Sequence, residues 1–176
     1  IGILAFWFPP LQAPGSLRSR AFFEQAAENG FDAFALTVEP GGRATPPAVG
    51  EYAPPAGMRV YRFPGFDLGC WLSSGGKPLA TSPSSTASPA PSRWKAALRS
   101  AAYAAYRNLL CFPDQHLPWY WQARERIAVV IAKEQPDVLL VSAHPVTAFL
   151  IAAWLKRRFP ELPWVADYRD PWSTHS

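Results

Sequence analysis

The run Val138-Leu139-Leu140-Val141 constrains this chain most. Its apolar residues lie between Pro136-Asp137 and Ser142-Ala143-His144-Pro145, so the run is too short for an ordinary helix and lacks the alternation of a half-solvated strand. A strand that is apolar on both sides needs cover on both faces, as in a parallel sheet with helices above and below. The same signature recurs at residues 1–8, 31–38 and 58–63, and at Trp164-Val165-Ala166.

Between these runs the apolar period changes to that of a helix. Ser16 can cap a helix that buries Phe22, Phe23, Ala26 and Ala27 and stops at Asn29-Gly30. A second helix runs over residues 92–110. A third runs over residues 119–134, with Trp119, Ala123, Ile127, Val130 and Ile131 inward. Pro145 suits the first turn of a fourth, ending near Arg158. Strands alternating with helices predict an α/β, Rossmann-like three-layer domain with a parallel sheet of at least five strands. Right-handed crossovers then give the order 3-2-1-4-5.

The 176 residues, 49% of them hydrophobic, fit a single domain over residues 1–176. The stretch 148–155 is too short to cross a bilayer, which needs about 20 residues. Residues 73–92 collapse to Ser, Pro, Ala, Gly and Thr, a composition that cannot bury enough apolar surface to offset ordering, and a mobile loop is expected there. The chain opens within a strand pattern and stops soon after another, so it reads as part of a longer polypeptide. Cys70 and Cys111 have no metal spacing and read as free thiols of a reducing compartment. A formal charge of +4 favours anionic partners. No zinc pattern, basic region with heptads or aromatic RNP sequence is present, so no nucleic-acid partner is expected.

Candidate site residues gather where ligands bind in open α/β sheets, at the carboxyl ends of the strands. Gly15 and Ser16 follow the first strand, where backbone N–H groups can approach a ligand or simply start a helix. Arg18 opposes the helix dipole, which suits either an anion contact or a solvated arginine. His144 follows the fourth strand as a cap or as a group that can donate or exchange a proton. Asp167, Arg169 and Asp170 end the fifth strand, as a structural ion-pair knot or as site residues. No ligand set for a metal accompanies them. The helix over 92–110 interleaves Arg93, Lys95, Arg99 and Arg107 with Trp94, Tyr103 and Tyr106. That suits an anionic membrane surface, or else a helix packed on the sheet through Trp94, Leu98, Ala101, Ala105 and Leu109.

Four segments carry a family resemblance. They are F-W-F-P-P-L-Q-A-P-G-S-L-R near the start, F-P-D-Q-H-L-P-W from Phe112, P-D-V-L-L-V-S-A-H-P-V-T-A from Pro136, and the final P-W-V-A-D-Y-R-D-P-W. Together, in order, the chain resembles the N-terminal, acceptor-side half of bacterial family 4 glycosyltransferases of the two-domain GT-B arrangement. The resemblance implies a retaining transferase that moves a sugar from a nucleotide to a glycan or lipid-linked acceptor in envelope polysaccharide or glycolipid synthesis. It implies a C-terminal donor-binding half in cis, no metal and no cofactor. It matches Gly15 and Ser16 to a loop facing donor phosphates and acceptor, where relatives carry two adjacent glycines and this chain has Pro14-Gly15. It matches Arg169 to a position where many relatives carry histidine, with Asp170 beside it as the second candidate catalytic residue. Arg18 and His144 complete the expected substrate-binding set. The expected location is the cytoplasm, at the inner membrane face if the 92–110 helix touches lipid. The isolated half is expected to be inactive. Other readings are a non-catalytic nucleotide- or sugar-binding module and a membrane-surface interaction domain.

Overall fold

The computed structural model describes residues 1–41, 50–65 and 113–168, together with Trp94, Leu98, Ala101, Ala104 and Ala105. The elements are β1 (Gly2–Leu4), α1 (Pro14–Glu28), β2 (Phe34–Val38), β3 (Arg59–Phe63), α2 (Leu117–Glu134), β4 (Leu139–Ser142), α3 (Thr147–Arg158) and β5 (Trp164–Asp167). All five strands are parallel, in the order β3-β2-β1-β4-β5. The chain therefore has the α/β, Rossmann-like topology that its apolar runs predict.

Strand alternation sorts the side chains into two cores. Leu4, Phe34, Leu36, Val38, Leu139 and Val141 face α2 and α3. Ile3, Ala33 and Ala35 face α1 through Phe23. Trp119, fully buried, packs edge-on against Phe6 with ring centroids 5.1 Å apart. Central β1 is short and crowded: a Cβ on Gly2 would lie 3.1 Å from Leu139 and 3.2 Å from Phe34, so glycine lets both neighbouring strands close in.

The helix boundaries depart from the sequence expectation in a consistent way. Helix α1 starts at Pro14, so Ser16 lies in its first turn and Ala13 occupies the N-cap. Proline is well suited to that first position because its missing N–H would have no helical partner. Helix α2 likewise starts at Leu117 with a proline in its opening turn, ahead of the expected Trp119. Helix α3 starts at Thr147, after Pro145, so Pro145 belongs to the preceding turn. The predicted stop of α1 is formed: Gly30 takes φ 77°, and Gly30 N and Phe31 N donate to Ala27 O and Ala26 O. This pair of bonds satisfies carbonyls at the helix end, and glycine bears the positive φ without a Cβ penalty.

Two burial expectations fail. β5 is not covered on both faces: Val165 is 53% exposed and Ala166 is exposed, on the last strand of the sheet. In the predicted 92–110 helix, the described positions Trp94, Leu98, Ala101 and Ala105 are helical but exposed, so they do not form the expected packing stripe. The rest of that helix, the loop over 73–92, Cys70 and Cys111 lie outside the described residues.

Candidate functional site

The strand order reverses direction between β1 and β4: β2 and β3 lie to one side of β1, β4 and β5 to the other. The connections leaving β1 and β4 therefore diverge at the carboxyl edge, which opens a crevice there. One flank is the first turn of α1, which packs on one face of the sheet. The other is the turn into α3, which packs on the opposite face.

On the α1 flank, the predicted residues Arg18 and Asp167 meet. Arg18 Nε and Nη2 donate to the two carboxylate oxygens of Asp167 at 2.8 and 2.6 Å, and Ser142 Oγ donates to the same carboxylate at 3.1 Å. This fork ties the start of α1 to the ends of β4 and β5. The Asp167 side chain is only 8% exposed, while that of Arg18 is 49% exposed. A buried carboxylate needs such partners, and the hydrogen bond and then the charge of Asp167 raise the Arg18 pKa further. Arg18 is thus half-exposed, with Nε and Nη2 engaged by Asp167.

One residue pair earlier, Ser16 is 3% exposed and its hydroxyl makes no hydrogen bond. The N-cap Ala13 makes no side-chain capping bond, and the first turn of α1 holds no acidic residue. Ser19, one turn on, differs: its hydroxyl donates to Gly15 O at 3.0 Å. Ser16 lines a pocket of about 460 Å³ with Pro9, Pro10, Leu11, Arg20 and Tyr52. Arg62 of β3 fixes the pocket's proline wall by donating to Pro9 O at 3.0 Å, and burial lowers its pKa. Tyr52 lies beneath the Arg20 guanidinium, 5.6 Å from its ring centroid. Burial, then the charge of Glu24, holds its phenol above the ordinary tyrosine pKa. Ser16 N already donates to Ala13 O at 2.9 Å, so the setting for ligand oxygens is made by the buried hydroxyl, the positive end of the helix dipole and the nearby arginines.

The α3 flank is organised by Asp114, which sequence reasoning left without a role. Its carboxylate accepts from Thr147 N at 2.7 Å, Thr147 Oγ1 at 2.7 Å and His116 N at 2.8 Å. It caps α3 from a distant segment while forming a local turn with His116. An aspartate two residues before His116 and just ahead of Leu117-Pro118 was the available signal for the turn. Its partner Thr147 lies 33 residues away and left no local trace. His144, half-buried, takes φ 61°. That conformation costs a non-glycine residue about 1–3 kcal/mol, and such strain gathers at functional sites.

The structure thus brings Gly15, Ser16, Arg18 and Asp167 to one flank, with His144 two residues beyond the linked Ser142. Arg169 and Asp170 lie outside the described residues. Tyr52 and Arg20 enter the site only through the fold. A larger hollow of about 670 Å³ lies at the opposite sheet edge, lined by Gln135, Asp137, Arg158 and Phe159 among others. None of its lining residues holds a buried, unbonded polar side-chain atom, so it offers less to recognise a ligand. Among the described residues no group of three or more His, Cys, Asp or Glu is placed to hold a metal ion.

No protein-family model matches the chain, and no curated protein matches it.

Proposed function

We propose that the chain is the acceptor-side half of a retaining glycosyltransferase that moves a sugar from a nucleotide donor to a glycan or lipid-linked acceptor. The reading rests on the ordered resemblance of four segments spanning the chain. The observation that supports it best is the start of α1: an N-terminus without a side-chain cap, and a buried Ser16 hydroxyl without a hydrogen bond, beside a pocket at the carboxyl edge of the sheet. Transfer from a nucleotide develops negative charge on the leaving phosphate, and preorganised N–H groups and cations lower the cost of that charge. Gly15 and Ser16 would receive phosphate or acceptor oxygens. Arg18, held by Asp167, would fix the first turn of α1 against the strand ends and present its remaining guanidinium N–H to ligand oxygens, and His144 would contact acceptor hydroxyls. Arg169 would stabilise the leaving group in a fork geometry that lysine lacks, with Asp170 orienting it or accepting from an acceptor hydroxyl. The donor nucleotide would bind mainly to a second, C-terminal half.

The test is a sugar-nucleotide panel run on a full-length polypeptide containing this chain. Transfer is expected there, while residues 1–176 alone should show none. Arg169→Lys should lower transfer at least tenfold, about 1.4 kcal/mol of transition-state stabilisation, with folding retained. Turnover by residues 1–176 alone at about one per second or more, within the ordinary enzyme range, would sink the two-half reading.

A further inference from the structure

Helices α2 and α3 carry the same spaced pattern, exposed at Trp121 and Leu150 and half-buried against the core at Trp154. Leu117, Trp121 and Arg124 on α2 are spaced as Leu150, Trp154 and Arg157 are on α3, at i, i+4 and i+7. This spacing places each set along one helix face. The buried stripes lie elsewhere: Trp119, Ala123 and Ile127 on α2, Ala148, Ile151 and Leu155 on α3. Both helices run antiparallel to the strands, so the two patterns point the same way, with their leucines nearest the carboxyl edge. Between them is a groove of about 250 Å³ lined by Leu117, Tyr120, Trp121, Leu150, Trp154 and Arg157.

Large apolar groups are left in water here. Trp121 is 61% exposed and Leu150 37% exposed. Cations surround them. The Arg124 guanidinium lies 4.8 Å from the ring centroids of both Tyr120 and Trp121 and 5.4 Å from that of Trp154, while Arg158 lies 5.8 Å from Trp154. Glu125 is the carboxylate paired nearby, 3.8 Å from Arg124.

We propose that this face of α2 and α3 seats the protein on an anionic bilayer surface. Tryptophan and tyrosine favour the headgroup level, where one end of the ring is apolar and the other wet. Arginine beside them gains attraction to anionic lipid, about 1 kcal/mol for each cation near the surface. Charge decides against a second copy: in a two-fold contact the patch meets itself, so Arg124, Arg157 and Arg158 would face like charge. Ring geometry weighs against a glycan platform, because sugar stacking needs open ring faces and Trp154 is half-buried with two guanidiniums over it, those of Arg124 and Arg158. The contact would be peripheral, since no helix among the described residues is long and apolar enough to cross a membrane. It is distinct from the contact expected for residues 92–110 and does not depend on the transferase reading.

The test is co-sedimentation of the full chain with vesicles of phosphatidylcholine alone or mixed with phosphatidylglycerol. Binding should rise at least about tenfold with the anionic lipid and weaken at about 1 M salt, where screening shortens to roughly 3 Å. Arg157→Glu, at an exposed position, should reduce binding more than about tenfold, and Arg157→Gln about fivefold, as expected from reversing or removing one such charge. Trp121→Ala should also weaken it, with far-ultraviolet circular dichroism unchanged for all three variants. Absent binding, or equal binding to neutral vesicles, would overturn the proposal. So would loss of binding in Trp94→Ala/Leu98→Ala with the α2 and α3 variants unaffected. A concentration-dependent dimer abolished by Trp121→Ala would assign the face to a second copy instead.

Discussion

The two edges of the sheet carry similar ionic chemistry with different consequences. At the amino edge, Arg59 at the start of β3 donates to Asp32 at 2.9 and 3.1 Å and pairs with Glu134 of α2 at 3.0 Å. Tyr61 donates to the same glutamate at 2.6 Å, and Lys133 lies 3.5 Å away. At the carboxyl edge, Arg18 and Ser142 both converge on Asp167. Each arrangement ties a helix to the sheet through a carboxylate. Both edges hold a buried unbonded polar atom and a positive-φ residue, Arg59 Nε and Gln135 at one, the Ser16 hydroxyl and His144 at the other; the carboxyl edge differs in setting its unbonded hydroxyl in the first turn of a helix, against a pocket. Charge clusters alone therefore do not mark a site. Unmet hydrogen-bonding capacity marks one only where it opens onto a pocket, as the Ser16 hydroxyl does, because a buried polar group without a partner is costly and a ligand entering that pocket can satisfy it.

The comparison is broken most readily at Asp167. On the transferase proposal, Asp167→Asn in a full-length polypeptide should release the Arg18 fork and lower transfer about tenfold, roughly 1.4 kcal/mol. Arg18→Lys should reproduce the loss, since an ammonium cannot make the paired contacts. Both should act on kcat more than on the melting temperature. If unfolding explains the whole loss, the carboxyl edge is structural like its counterpart.

The amino edge should show the reverse. Glu134→Gln should cost about 1 kcal/mol of stability and leave transfer unchanged. The Tyr61 hydrogen bond, aided by the charges of Arg59 and Lys133, holds the Glu134 pKa below its ordinary value, against the opposing effect of burial. Its contribution is therefore complete above the unfolded value of about 4.3 and is lost as pH falls through the lower folded value. Urea midpoints should separate wild type from Glu134→Gln most at neutral pH and converge below about pH 4. A gap that persists undiminished in acid would assign the cost to packing.

The smallest effect sharpens the comparison most finely. Ser16→Ala should change stability by less than about 0.5 kcal/mol, or raise it slightly, because the hydroxyl has no bond to lose. Ser19→Ala, which removes a bond to Gly15 O, should cost about 1 kcal/mol. A matched pair of denaturation curves checks this. Equal losses would mean that Ser16 is structurally satisfied and that the start of α1 is no binding position.

Much of the fold was legible because it depends on local patterning. The apolar runs around Leu36, Leu140 and Val165 announced strands, and Asn29-Gly30 announced the end of α1. The strands proved shorter than their runs. Phe6 and Phe8 are buried like strand residues but lie beyond the β1 ladder, and burial alone cannot reveal where pairing ends. The candidate site was legible in outline, since Gly15, Ser16, Arg18, His144 and Asp167 follow strands whose carboxyl ends share an edge.

By itself, then, the sequence determined the α/β class, the parallel sheet and its strand order, because periodicity, proline, glycine and crossover handedness act locally or through chirality. Tertiary structure alone decided which charges pair. Arg18 and Asp167 are 149 residues apart, and Asp114 and Thr147 are 33 apart. It also decided that β5 is exposed at an edge and that Trp121 and Leu150 flank a groove between α2 and α3. Such pairings depend on distances across the folded sheet, and no local residue preference encodes them.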